Sequence, residues 1–289
     1  MKKHYILPLC LITFFICMFS YNCLTPTNGL NKLESLSKAN NENKKLNKYL
    51  SKFPYDQYTI ATVPSLGSFY VDNIPDGIKW HLKQGIYWES GIAEILNKYI
   101  KPNTVAIDMG AHIGIHTLLM SQKIGAKGLV ISFEPQKKIY RELHHNLLLN
   151  NCQKNVITLR YALGDRKQTV EMCKADPTNE GGTPVGKGGD RAQMITLDSL
   201  NLSNISLIKM DVESYELNVL KGARKTLRKN NPVIVFEILG GVDLDHCNIE
   251  QQAVYDEIIG FLEKIGYRVQ RIFGNDFLAL PGNHPTLDR

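Results

Sequence analysis

From Thr104 to the end of the chain, short apolar runs alternate with helical patterns, and four of the runs end in a carboxylate. Thr104–Asp108 reads as a strand and Ile113–Lys123 as a helix. Leu129–Glu134 reads as a strand and Gln136–Asn150 as a helix. Asn155–Tyr161 and Ile205–Met210 read as strands, Glu216–Lys229 as a helix and Pro232–Ile238 as a strand. Ile249–Ile265 is a helical pattern, and Tyr267–Ile272 with Phe277–Leu280 read as a closing hairpin. Repeated strand–helix units with wholly apolar strands predict a mostly parallel, doubly wound α/β sheet covered on both faces. The hairpin places one antiparallel strand in it.

In an open sheet of this kind, ligands bind beyond the carboxyl ends of the strands. Asp108, Glu134, Asp211 and Glu237 all stand at such ends. After Asp108 come Gly110, Ala111, His112 and Gly114, a turn in which glycine lets backbone approach a ligand closely. Glu134 lies one strand–helix–strand unit further on, where a carboxylate can accept from both hydroxyls of a ribose. Two carboxylates here suit a ligand with a ribose and a cationic amino-acid part. They suit a pyrophosphate poorly, and Gly-x-x-x-Gly is not the dinucleotide spacing Gly-x-Gly-x-x-Gly. Read alone, the same residues are also a tight strand–helix turn with Asp108 as a cap. For Glu213 and Glu216 the plain alternative is helix N-terminal charge meeting the macrodipole.

The net charge of +6 is concentrated in the first 56 residues, which hold eight lysines against Glu34, Glu42 and Asp56. The remainder is close to neutral, so no basic face for nucleic acid is expected. Cys152, Cys173 and Cys247 are scattered, without Cys-x-x-Cys spacing, and no metal-ligand set is evident. Residues 1–30 carry an uncharged stretch after Lys2, Lys3 and His4. They read as a signal peptide or a membrane anchor, and we favour the uncleaved anchor. That makes a membrane location the expectation, with secretion after cleavage as the alternative. Residues 31–57 read as a polar tether and residues 58–289 as the folded domain. Residues 58–87 have turn-spaced Pro and Gly with short β-like runs, an N-terminal lobe or hairpin. Trp88–Ile100 is a helical pattern stopped by Pro102. Gln168–Cys173 and Gln193–Leu197 read as an extra strand pair around the mobile-looking loop Gly181–Gly189, which lacks the Lys-Ser/Thr ending of a phosphate-binding loop.

Asp108-Met-Gly110-Ala-His-Ile-Gly114, Phe133-Glu134-Pro135, Ala162-Leu163-Gly164 and Lys209-Met-Asp211-Val-Glu213-Ser-Tyr-Glu216…Leu220-Lys-Gly222-Ala223 together resemble the FkbM family of S-adenosylmethionine-dependent methyltransferases. The likeness covers roughly residues 85–285. It implies the seven-stranded, Rossmann-like class I methyltransferase sheet and S-adenosylmethionine as cofactor. It implies that Asp108, Gly110, Ala111, His112 and Gly114 frame the methionine end, that Glu134 holds the ribose, and that Ala162 and Leu163 pass the adenine. Asp211 and Glu213 would face the methyl-transfer site. Ser214 departs from the pattern, standing where the family usually has Gly.

The acceptor that the resemblance implies is a hydroxyl of a sugar, glycan or other small molecule. Asp211 or Glu213 is the candidate general base, and Glu237 a substrate-orienting group. His116, on the helix after the turn, reads as structural. A nicotinamide-dependent oxidoreductase shares the Glu134 logic but lacks the glycine spacing. A catalytically inactive, membrane-tethered module of the same fold is the other alternative, and it would bind cofactor without transferring a methyl group.

Overall fold

The computed structural model describes Ser35 and residues 44–238 and 249–282. Residues 1–30, read as signal or anchor, and residues 31–34 and 36–43 of the tether lie outside the described residues. Among the described residues no helix is long and apolar enough to cross a membrane.

A short helix, α1 (Lys44–Leu50), precedes a hairpin of β1 (Tyr58–Val63) and β2 (Gly67–Asp72). The hairpin is outside the main sheet. Phe69 and Val71 of β2 are fully buried beneath it. Helices α2 (Gly77–Lys83) and α3 (Ser90–Tyr99) follow. Asp76 caps α2 by accepting from the Lys79 N–H at 2.9 Å.

The strand–helix alternation then forms as the periodicity predicts. It runs β3 (Val105–Met109), α4 (Ile115–Ile124), β4 (Leu129–Phe133), α5 (Lys137–Leu149) and β5 (Val156–Leu159). After an excursion it resumes with β9 (Ile205–Met210), α6 (Glu216–Asn230), β10 (Val233–Glu237), α7 (Ile249–Lys264), β11 (Tyr267–Phe273) and β12 (Asp276–Pro281). Seven strands make one sheet in the order β11-β12-β10-β9-β3-β4-β5. The pairs β5–β4–β3–β9–β10 are parallel, and β12 runs antiparallel to both its neighbours, as the closing hairpin required. Every side chain of β3, β4 and β9 is buried because helices cover both faces. Each buried Val, Ile, Leu or Phe of such a strand contributes about 1.5–3 kcal/mol relative to exposure.

The excursion differs from the expected elements in two places. The apolar run Asn155–Tyr161 breaks at Arg160, and its far end becomes β6 (Tyr161–Leu163), which leaves the main sheet. There it forms a three-stranded sheet, β6-β8-β7, with β7 (Gln168–Cys173) and β8 (Gly188–Ile195). β8 starts five residues before the expected Gln193, since glycines carry no alternating side chains to announce a strand. The chain order reverses between β3 and β9, so their carboxyl ends flank the crevice where such folds bind ligands.

Candidate functional site

Gly110 lets the ends of β3 and β9 approach closely. Its φ is +75°, and a Cβ there would run into the carbonyl oxygen of Asp211. The Gly110 and Ala111 amides both donate to the Phe133 carbonyl, and the Asp211 amide donates to that of Met109. The ends of β3, β4 and β9 are thus stitched together by backbone. Gly114 serves packing as well as the turn, for a Cβ there would come within 2.7 Å of Leu143.

A cleft of about 490 Å³, open to solvent, lies along this rim. Of the residues expected at a cofactor, Gly110, Glu134, Ala162, Leu163 and Asp211 line it, as does Glu213. Asp108, Ala111, His112 and Gly114 stand behind the lining. The role visible for His112 is through its backbone, whose N–H donates to Glu134 Oε2 at 3.0 Å. The Gln136 N–H donates to Glu134 Oε1 at 2.8 Å. The Glu134 carboxylate is therefore held rigidly with acceptor capacity to spare. Its burial pushes its pKa up to about 7, against those two amides.

Asp108 is fully buried. Its Oδ2 accepts from Thr117 Oγ1 at 2.5 Å, while Oδ1 has no partner. Burial raises its pKa, and the neighbouring Lys209 ammonium opposes the rise. Lys209 is in register with Asp108 across β3 and β9. Its Nζ donates to Asp211 Oδ2 at 3.0 Å and lies 3.5 Å from the Gly110 carbonyl. One buried cation thus sits between the two strand-end aspartates and fixes Asp211. It adjoins Asp211 in the sequence motif, but only the parallel register places it beside Asp108.

Asp211 and Glu213 of the second motif line the cleft and gather with Glu237, which is not among its lining residues. Carboxylate oxygens of Asp211, Glu213 and Glu237 lie within 4.8 Å of one another. Asp276, paired with Glu237 across β10 and β12, adds a fourth that strand-end reasoning missed because it begins its strand. Burial first, then the neighbouring negative charges, pushes Glu213 up to about 8 and Glu237 to about 7. Asp276 rises to about 6 for similar reasons. Glu213 and Ser214 have φ of +54° and +66°, so the chain doubles back there and turns Glu213 toward the cleft. The Glu216 carboxylate instead accepts from the Val212 N–H at 3.4 Å, closing the start of α6. That is the capping alternative, and its burial raises its pKa to about 7.

His116 accepts or donates at both nitrogens. Nδ1 is 3.3 Å from Tyr87 Oη and Nε2 is 2.9 Å from Glu89 Oε2. Although burial opposes it, the His116 hydrogen bond and the Lys209 charge hold Glu89 down to about 2. The role of His116 in the structure is thus to fix Glu89, a residue no motif singled out. The glycines of the remaining motifs explain each other, because a Cβ on Gly222 of α6 would run into the Gly164 carbonyl. The loop that read as mobile supplies a wall of the cleft through Gly181, Thr183 and Val185.

These features fit a cofactor with a ribose and a cationic sulfonium-bearing end. They are a strand-end turn that brings Gly110 backbone to the cleft, a carboxylate held rigidly beside it by two amides, and unpartnered buried oxygens on Asp108 and Asp211.

The chain is similar to several known proteins. The Methyltransferase FkbM domain pattern matches residues 108–269, more than half of the chain. The pattern of protein-L-isoaspartate(D-aspartate) O-methyltransferase matches residues 35–173. The hexuronic acid methyltransferase AglP of Haloferax volcanii is 29% identical over 169 residues, 57% of this chain and 67% of its own length. Among solved structures, a methyltransferase FkbM from Methylobacillus flagellatus is 16% identical with a TM-score of 0.44. That match covers 70% of this chain and 52% of the other, so the chain spans about half of that protein. A SAM-dependent O-methyltransferase from Thermotoga maritima is 14% identical with a TM-score of 0.43, over 83% of each chain. On the extent of the first match, the chain belongs to the FkbM family of S-adenosylmethionine-dependent methyltransferases.

Proposed function

We propose that the protein transfers a methyl group from S-adenosylmethionine to a hydroxyl oxygen of a sugar or glycan. The observation that carries this reading is the group of Asp211, Glu213 and Glu237, of which the first two line the cleft. The likeness to a hexuronic acid methyltransferase supports a sugar-type acceptor.

The cofactor supplies a methyl group on a cationic sulfur. In this reading Glu134 accepts from the ribose hydroxyls, and its fixed position spares the cost of ordering it. Ala162 and Leu163 flank the adenine. Gly110 lets the ligand lie against backbone, and Asp108, Ala111, His112 and Gly114 shape the turn around the methionine end. Asp211, oriented by Lys209, faces the sulfonium charge. Glu213 takes the proton from the attacking hydroxyl, since its pKa of about 8 is near working pH, where a general base is most effective. Glu237 orients the acceptor. The new bond joins acceptor oxygen to methyl carbon, the carbon–sulfur bond breaks, and its electron pair stays on sulfur. Residues 1–30 tether the domain to a membrane, a point that fractionation of cells expressing the full chain checks directly.

The test is incubation of the purified protein with S-adenosylmethionine and a panel of uronic acids, neutral sugars and their glycosides. Formation of S-adenosylhomocysteine with one added methyl on a hydroxyl supports the reading. Methylation confined to carboxyl or nitrogen acceptors would overturn the oxygen-nucleophile assignment.

A further inference from the structure

Lys79 is fully buried, yet it lies thirty residues ahead of Met109, the first lining residue of the cleft, and outside the matched FkbM pattern. Its Nζ is 2.7 Å from Asp72 Oδ1, 2.9 Å from Glu142 Oε2 and 2.8 Å from Glu180 Oε2. Lys138 Nζ adds contacts of 2.6 Å to Asp72 Oδ2 and 2.6 Å to Glu180 Oε1. The three carboxylates are close enough together to suggest a cation site, but the two ammonium groups already fill it. Breaking such a buried set on one side is costly because it strands uncompensated charge.

What the cluster holds is the chain entering the cleft wall. Glu180 immediately precedes Gly181, and Gly181, Thr183 and Val185 face the cleft opposite Glu134 and Ala162. Glu180 is tied at every polar group. Its N–H donates to Asp76 Oδ2 at 3.0 Å, and its carbonyl accepts from Gln136 Nε2 at 3.0 Å and Thr183 Oγ1 at 2.9 Å. Gln136 is also the residue whose N–H fixes the Glu134 carboxylate. A continuous set of contacts therefore runs from α2 through Glu180 and Gln136 to the carboxylate at the ribose position.

We propose that Lys79 is a positioning residue for the cofactor: with Lys138 and Asp76 it latches Glu180 and holds residues 181–185 as a closed wall over bound S-adenosylmethionine. The N-terminal hairpin and α2 are then part of the cofactor site, although they contribute no lining residue. The inference rests on the cleft being the cofactor site.

Glu142 and Glu180 separate latching from mere stability. Both contact Lys79 at nearly the same distance, but Glu142 lies on α5 and bears no part of the wall. The full-length protein is first titrated with S-adenosylhomocysteine by calorimetry; absence of binding overturns the cofactor-cleft reading itself and this inference with it. Glu180→Gln and Glu142→Gln are then compared. Both should lower the thermal midpoint. Glu180→Gln should weaken S-adenosylhomocysteine binding about tenfold or more, while Glu142→Gln should stay within about twofold. Amide exchange in residues 181–185 should quicken only in Glu180→Gln. Equal losses in both variants, or no loss in either, overturn the proposal. Should Glu180→Gln not fold, Lys138→Met removes the half-exposed cation from the same carboxylate and should cost about threefold in affinity. Unchanged affinity there would likewise overturn it.

Discussion

The carbonyl oxygen of Asp211 occupies the space a side chain on Gly110 would need. These two residues immediately follow the adjacent parallel strands β3 and β9, at the point where the strand order reverses. Gly110→Ala should therefore spread the strand ends, besides forcing a side chain onto a φ of +75°. Overpacking and left-handed backbone together should destabilise the protein by about 2–4 kcal/mol and remove cofactor binding. Chemical denaturation and calorimetric titration check this. A stable Ala variant with normal affinity would show that the close approach is dispensable.

Glu213 is the proposed base. Glu213→Gln should lower kcat by about 10²–10⁴-fold with little change in cofactor affinity. In the wild type, kcat/KM should rise with pH and level off above about 8, where Glu213 loses its proton. The variant should lose that rising limb. If the limb persists in the variant, proton removal belongs to another group, with Asp211 next in line.

The same carboxylates make stability pH-dependent. Glu134, Glu216 and Glu237 are raised to about 7 and Glu213 to about 8, burial being the first cause in each. An unfolded glutamate titrates near about 4.3. Between these values the folded chain keeps protons that the unfolded chain has released. Their contribution is complete below the unfolded value and is lost as the pH rises through 7 and 8. The thermal midpoint of the ligand-free protein should fall from pH 5 to pH 8. A midpoint that climbs over this range would mean that these groups are already ionised in the folded state.

Ser214 has a φ of +66°, a conformation that glycine adopts without steric cost. This accounts physically for the resemblance's expectation of glycine at this place. Ser214→Gly should stabilise the chain by about 1 kcal/mol, a rise in thermal midpoint of roughly 2–4 °C. A lower midpoint would indicate that the serine side chain supplies a compensating contact.

Much of the crevice was legible in the sequence because its parts are local. Strand-end acids, the Gly110 turn and the string from Lys209 to Ala223 each declare themselves within a few residues. Most element ends fell within two residues of the periodicity. What stayed hidden depends on pairing across long separations. Lys209 becomes the partner of Asp108 only through the register of β3 with β9. Glu89 reaches the site only because His116, on another helix, fixes it. Asp276 begins a strand, and only antiparallel pairing brings a strand start to a rim of strand ends. Nor did anything local distinguish Gly181–Gly189 from an ordinary exposed loop, since what fastens it is a lysine a hundred residues earlier.

The hairpin β1–β2 has a consequence for where the chain can be cut. The family pattern begins at Asp108, which invites a fragment starting just ahead of it. Yet Asn146 Oδ1 and Asn150 Oδ1 of the α5 region accept from the backbone N–H groups of Tyr70 and Ser68. Phe69 and Val71 between and beyond them are wholly enclosed. A fragment begun near Asp108 would lay bare an apolar face on α5 and two amide side chains evolved to grip a strand. Leu46 and Phe53 are buried as well, and Phe53 stacks on His145 of α5, so a piece able to stand alone in water should begin no later than Lys44, upstream of every motif by which the enzyme is recognised.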